Sequence, residues 1–266
     1  MKKFIKPIIL VIIYFIMQGV AGAIIGGIAL VSDPDASNAI QMGDANALTK
    51  IIPASWLATS VIVSGILTVL IAWAMKLINW KTVFRFDRQQ ASSAWLPIIA
   101  AIAGIFAIIV LEEQLQLTDI LQKEFADMMH SALGVLMICV VGPIVEELCF
   151  REAIMGSLIR KGTRPWVAIL FSAVIFGLIH ANPVQIVGAG LMGIIFGIIY
   201  YKSGNIVLTT LLHILNNSFA TITALVFGKD ATMSDLIGGS TVAIVSGIIC
   251  TIFCIAMLTR YWTHTK

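Results

Sequence analysis

MHSALGVLMICVVGPIVEELCFREAIMGSLIRKGTR, residues 129–164, is the stretch on which the reading of this chain turns. From Ser131 to Val145 it carries no charge; then Glu146, Glu147, Arg151 and Glu152 interrupt it before a second apolar run and the basic turn Arg160–Arg164. The surroundings decide what that interruption means. The chain has 266 residues, 59% of them hydrophobic and only 12% charged, about half the charged share of a soluble domain. Its mean hydropathy is +0.99. So little charge cannot cover so much apolar surface in water, and the composition is the reverse of a disordered chain's. The net charge of +3 is small, without the Lys/Arg clustering of a nucleic-acid binder. The fitting solvent is the bilayer.

Apolar runs of about 20 residues predict an all-α polytopic membrane protein of about eight spans. They fall near 7–31, 51–75, 94–111, 129–150, 165–181, 184–201, 206–227 and 240–259, making residues 1–266 a single integral membrane domain. The opening MKKFIKPIIL resembles the start of a signal peptide, but the uncharged stretch continues to Val31, beyond the ~7–15 residues of a signal core. A retained first helix is expected.

The few charges sort by side. Lys2, Lys3, Lys6, Lys76, Lys81, Arg85, Arg88, Arg160, Lys161, Arg164, Lys202, Arg260 and Lys266 fall in one set of segments, with Asp87 the one acid among them. The alternate segments hold Lys50, Lys123 and Lys229 against ten acids, including Glu112, Glu113, Asp119 and Asp235. The positive-inside rule then expects both termini in the cytoplasm, as an even span count requires, in a bacterial cell membrane. Residues 112–129 are expected to form an amphipathic surface helix, with Leu117, Ile120, Leu121, Phe125 and Met128 on one side. Gly22-xxx-Gly26 and Gly193-xxx-Gly197 have the spacing of close helix packing. Cys139, Cys149, Cys250 and Cys254 lie in apolar stretches and read as small hydrophobes.

Polar groups inside spans are costly and point to function. Three sets qualify: Glu146-Glu147-Leu148-Cys149-Phe150-Arg151-Glu152, Phe176-Gly177-Leu178-Ile179-His180 and His213-Ile214-Leu215-Asn216-Asn217. Fifteen residues separate Glu146 from Lys161, and fifteen separate His180 from Pro165. Both therefore stand about 22 Å above the basic turn, on antiparallel neighbours, provided the fourth helix continues to about residue 161. Glu147 and Arg151 are i,i+4 and can pair, offsetting the cost of burial, while Glu146 points about 100° away, free to face a cavity. His213 and Asn217 share a helix face.

These parts suit water activation. A glutamate in a desolvated cavity can act as general base, with a histidine sharing the water. A second histidine with an asparagine one turn on offers donors to an oxyanion. A catalytic zinc held by a Glu with His180 and His213 is the other reading, although no HExxH is present.

EELCFR, FGLIH and HILNN also match, in order, the EExxxR, FxxxH and HxxxN motifs of the CPBP intramembrane proteases. The chain resembles that family, which includes type II CAAX prenyl endopeptidases and Abi-type proteins linked to bacteriocin processing or self-immunity, over a core of about 125–227. The resemblance implies that Glu146 and His180 activate water, that His213 and Asn217 form the oxyanion site, and that Glu147 and Arg151 support them. The family is often labelled metalloprotease, and a glutamate mechanism has also been argued for it. The expected partners are membrane lipids and a peptide or membrane-tethered protein substrate, with no nucleic acid. Two other classes compete. A non-catalytic bacteriocin-immunity or scaffold protein would bind a partner membrane protein through the same fold. A proton-coupled transporter would use the buried charges as a relay, but the sequence lacks repeat halves.

Overall fold

The structure, a computed structural model, describes residues 2–32, 42, 54–84 and 94–264. Asp33, Asp35, Asp44, Lys50, Arg85, Asp87, Arg88 and Lys266, used above to argue orientation, lie outside the described residues.

Every regular element described is helical. Eight apolar helices form the body: α1 (Lys2–Ser32), α2 (Ala54–Ala74), α3 (Trp95–Leu115), α4 (Ala132–Arg160), α5 (Pro165–Leu178), α6 (Pro183–Ser203), α7 (Ile206–Phe227) and α8 (Ser240–His264). Seven are long and apolar enough to cross a bilayer; α5, with 14 residues, is not. Its shortness has a local cause. Pro165 starts it, and at the other end Ala181 takes a left-handed φ of 50° before Pro183 opens α6. A proline fits the first turn of a helix, where its missing N–H would be unused.

Beyond α3 the chain departs from the single surface helix expected over 112–129. Helix α3 continues to Leu115, Gln116 turns left-handed at φ 48°, and only Gln122–Met129 is helical again. Glu112 and Glu113 thus belong to the end of a long buried helix, and Glu113 accepts bonds from the Ser234 hydroxyl and amide.

Helix α4 begins where the Ser131 hydroxyl accepts from Gly134 N–H, one of the amide donors a helix start leaves unsatisfied. It runs to Arg160, as the depth argument required. It is not uniform: Met137–Val141 and Glu147–Gly156 are π-helical, a wider winding that recurs at functional sites. The first π stretch can be traced to one residue. Gly142 N–H bonds back to Met137 O, and Pro143 has no N–H to give, so the Ile138 carbonyl loses its helical donor. The Asn217 side chain of α7 donates to it at 2.9 Å.

The longest packed pairs are α3 with α8, α5 with α6 and α1 with α2. Gly193 makes α5 and α6 close: a Cβ there would stand 2.8 Å from Ala173 Cα. At Gly22 the expected close packing is not found among the described residues, where nothing lies within 4 Å of such a Cβ. The core gathers around Phe150, Ile154, Phe176 and Phe196, while Ile12, Ile24, Ile252 and Ile255 face outward, as lipid-contacting positions do. None of the four cysteines is in a disulfide, and Cys139, Cys149 and Cys254 are buried.

Candidate active site

The acidic stretch of α4 faces α7 and α6. Glu147 and Arg151 are fully buried, and Arg151 Nη2 lies 3.2 Å from Glu147 Oε1. Taking both charges out of water is expensive unless they face each other. The Arg151 guanidinium is also laid over the Phe176 ring, 4.4 Å from its centroid, with Phe196 at 5.7 Å. Ring faces carry negative charge, so the cation is held from its flanks as well.

His213 sits between both glutamates. Its Nδ1 is 3.1 Å from Glu147 Oε1, and its Nε2 is 3.6 Å from Glu146 Oε2. A carboxylate only accepts, so the shorter contact places the proton on Nδ1 and sets the ring's orientation. The longer gap exceeds hydrogen-bond length. Glu146 keeps 18% of its side chain exposed, whereas Glu147 has none. One carboxylate is therefore structural backing for the imidazole, and the other stands at the accessible rim.

His180 lies in the turn after α5, partly buried, with Nδ1 2.7 Å from the Phe176 carbonyl. Since the carbonyl accepts, Nδ1 donates, and in the neutral ring Nε2 is left as an acceptor. His180 meets the edge of the Phe176 ring at 5.1 Å, and His213 meets the same ring at 5.9 Å. The two histidines thus share one aromatic plate. Glu146 approaches His213 to 3.6 Å and, among the described residues, makes no direct hydrogen bond or ion pair with His180, with which it is expected to share a water. The turn that carries His180 is tied down next door: buried Asn182 donates to Asp119 at 2.8 Å and accepts from Ile120 N–H at 3.2 Å.

Asn217 faces α4, where one amide N–H is spent on the Ile138 carbonyl, and its oxygen accepts from Asn216 at 3.0 Å. One Asn217 N–H remains for a further acceptor. Cys149 is 1% exposed and carries no accessible thiol. As for metal, no three His, Cys, Asp or Glu side chains gather into a metal-holding group among the described residues. His180 turns Nδ1 to a carbonyl and His213 turns Nδ1 to Glu147, which leaves Nε2 of each ring as the atom that a water or a metal held with Glu146 would meet.

Sequence reasoning missed two participants. Phe196 flanks both Arg151 and His213 from α6, and nothing in a run of apolar residues singles it out. Glu152, which had no assigned role, is fully buried one turn further along α4. Its Oε1 accepts from Asn79 N–H at 2.8 Å and Arg160 Nη1 at 2.7 Å, and its Oε2 from the Tyr200 hydroxyl. Arg160 also donates to the Leu77 carbonyl. That network anchors the 77–79 loop and α6 to α4.

The fold and this centre define a polytopic helical membrane protein with a carboxylate–imidazole cluster between α4, α5, α6 and α7. Residues 128–219, the segment that builds the cluster, match the family described as Type II CAAX prenyl endopeptidase Rce1-like. Over 90 residues it is 36% identical to the Bacillus subtilis (strain 168) protein named "Putative membrane peptidase YdiL", covering 34% of this chain and 36% of that protein. It is 32% identical over 90 residues to the "Membrane-embedded CAAX protease MroQ" of Staphylococcus aureus (strain USA300), covering 32% of this chain and 36% of that protein. The alignment thus spans about a third of the length of either relative. No solved structure matches the chain.

Proposed function

We propose that the chain is an intramembrane endopeptidase that hydrolyses a peptide bond in a peptide or membrane-tethered protein. The observation that carries this reading is the asymmetry of the two glutamates: Glu147 is sealed against Arg151 and His213, while Glu146 is accessible across a 3.6 Å gap from His213 Nε2. In this reading Glu146 accepts a proton from water, with His180 Nε2 as the second acceptor on that water. The water oxygen forms a bond to the scissile carbonyl carbon, and the C=O π pair moves onto the carbonyl oxygen. The remaining Asn217 N–H stabilises that oxyanion, and His213 joins it as a donor in the form that carries a proton on Nε2 as well as on Nδ1. Collapse of the tetrahedral species breaks the C–N bond, and the proton held by Glu146 passes to the leaving amine. Glu147 and Arg151 hold His213 in its tautomer and orientation.

The basic segments at both termini and around Arg160–Arg164 support an orientation with the termini in the cytoplasm of a bacterial cell. The reading is tested by purifying wild type and Glu146→Gln and comparing membrane-peptide proteomes of cells expressing each. Substrates accumulating intact with the variant support it. Identical proteomes, with no cleavage by purified wild type with or without added zinc, would favour a scaffold or immunity role. Metal analysis of the wild type with chelator treatment separates the glutamate mechanism from a metal-assisted one.

A further inference from the structure

Two helices of the core start behind an asparagine, and the two asparagines do different things. Asn205 precedes α7, and its Oδ1 accepts from Val207 and Leu208 N–H, the usual use of such a residue. Asn182 precedes α6, yet its side chain makes no capping bond to the amides of that helix. It is fully buried and turned instead to the segment after α3. There its Nδ2 donates to Asp119 Oδ1 at 2.8 Å, and its Oδ1 accepts from Ile120 N–H at 3.2 Å. Helix α6 gives up a local cap for that contact.

The residue before Asn182 is unfavourable as well. Ala181 holds a left-handed φ of 50°, a region in which the Cβ of any residue but glycine crowds the backbone. Strained backbone persists where its surroundings over-determine it, and it collects at functional sites. Here it lies directly after His180, whose Nδ1 donates to the Phe176 carbonyl at 2.7 Å and whose Nε2 is left to meet water. The segment that holds Asn182 is itself anchored. Asp119 Oδ1 also accepts from Leu121 N–H at 3.1 Å, and Gln122 Nε2 donates to Asp230 Oδ1 at 3.2 Å, in the loop after α7.

We propose that Asp119 and Asn182 are positioning residues of the active centre: their bond clamps the strained turn and so fixes the direction in which His180 presents Nε2. The consequence for rate rests on the peptidase reading. The clamp extends the centre to residues 116–121, outside the matched segment 128–219. A contact that served stability alone would need neither an unused helix cap nor a left-handed alanine, both of which lower stability.

The test uses the full chain in nanodiscs and has two readouts. Asp119 is exposed, so Asp119→Ala removes the clamp with little risk to folding; Asn182→Ala removes it from the other side. With a peptide recovered from the Glu146→Gln comparison, each is expected to lower kcat by up to about 10²-fold, the cost of misplacing a reacting group by about 1 Å, with KM unchanged. Asp119→Asn keeps an acceptor oxygen and should keep the rate. Ala181→Gly added to Asp119→Ala should recover part of the loss, because glycine holds the left-handed φ without strain. The second readout needs no substrate. Nitrogen NMR of isotope-labelled histidine, in protein carrying His130→Gln and His264→Gln, is expected to show the neutral His180 ring as the Nδ1–H form alone with the clamp intact. In Asp119→Ala it should become a mixture with the Nε2–H form. If the wild type cleaves no peptide, the peptidase reading falls and the ring spectrum decides the clamp by itself. Wild-type kcat in Asp119→Ala and Asn182→Ala, an Asp119→Asn as slow as Asp119→Ala, or one unchanged His180 spectrum in all variants would overturn the proposal.

Discussion

Glu147 and Glu152 stand five residues apart in one π-helical stretch of α4, both fully buried, both facing an arginine, yet their surroundings differ. Around Glu152 both oxygens accept hydrogen bonds, from Asn79, Arg160 and Tyr200. Around Glu147 the second oxygen, and all three guanidinium nitrogens of Arg151, have no hydrogen-bond partner among the described residues. The pair is close enough for an ion pair without meeting hydrogen-bond geometry. A closed network fixes backbone against backbone. The other, sealed behind His213 and the accessible Glu146, leaves bonding capacity unused, at a cost in stability that buried polar groups carry. The two clusters divide the helix into an anchor and a reaction centre.

The largest expected effect comes from the open cluster. Glu146→Gln removes the base while preserving shape, and turnover of any identified substrate is expected to fall by roughly 10²–10⁴ with the melting temperature unchanged. Single-turnover assays on purified protein measure this. Asn217→Ala follows, with a rate loss of about 10²–10³ if its free N–H meets the oxyanion and a stability loss of about 1–3 kcal/mol from the stranded Ile138 carbonyl. The two losses separate in a double-mutant cycle. Adding Pro143→Ala returns an N–H to the α4 backbone, so stability should recover in part while the rate does not.

Glu152→Ala breaks the closed cluster. It strands the Tyr200 hydroxyl and the Asn79 amide, costing about 1–3 kcal/mol; Arg160 is 37% exposed, so its lost ion pair adds little. Thermal unfolding in detergent reads that change. The smallest effect lies outside the spans, at the exposed helix start Thr232–Ile237. Hydrogen bonds from the Thr232 hydroxyl and amide hold the Asp235 carboxyl below its ordinary value. Its stabilising contribution is therefore present above the unfolded carboxylate pKa and lost as pH falls through the lower folded one. Thr232→Val should raise the Asp235 pKa, as NMR titration would show, and barely move unfolding at neutral pH.

Much of this was readable in the residues because the bilayer makes charge conspicuous. The length of α4 followed from counting back from the basic turn, and the Glu147–Arg151 pair from i,i+4 spacing. The rest needed three dimensions. That Asn217 serves Ile138 depends on a shift from α to π winding, which Pro143 favours but no periodicity announces. Glu152 meets Arg160 eight residues on, beyond any helix-surface rule, and its other partners come from residues 79 and 200. The approach of Glu146 to His213 depends on the α4–α7 crossing, which span counting leaves free. The Gly193 and Gly22 motifs look alike in sequence, and only the neighbouring helix distinguishes them.

The most direct measurement sets Glu146→Gln beside Glu152→Ala in the same membrane mimetic, recording melting temperature and cleavage per folded molecule. A division into reaction centre and anchor predicts that Glu146→Gln loses cleavage at wild-type stability, while Glu152→Ala loses stability and retains cleavage below its melting temperature. Equal cleavage by Glu146→Gln and wild type, or a joint loss of stability and cleavage in both variants, would contradict it.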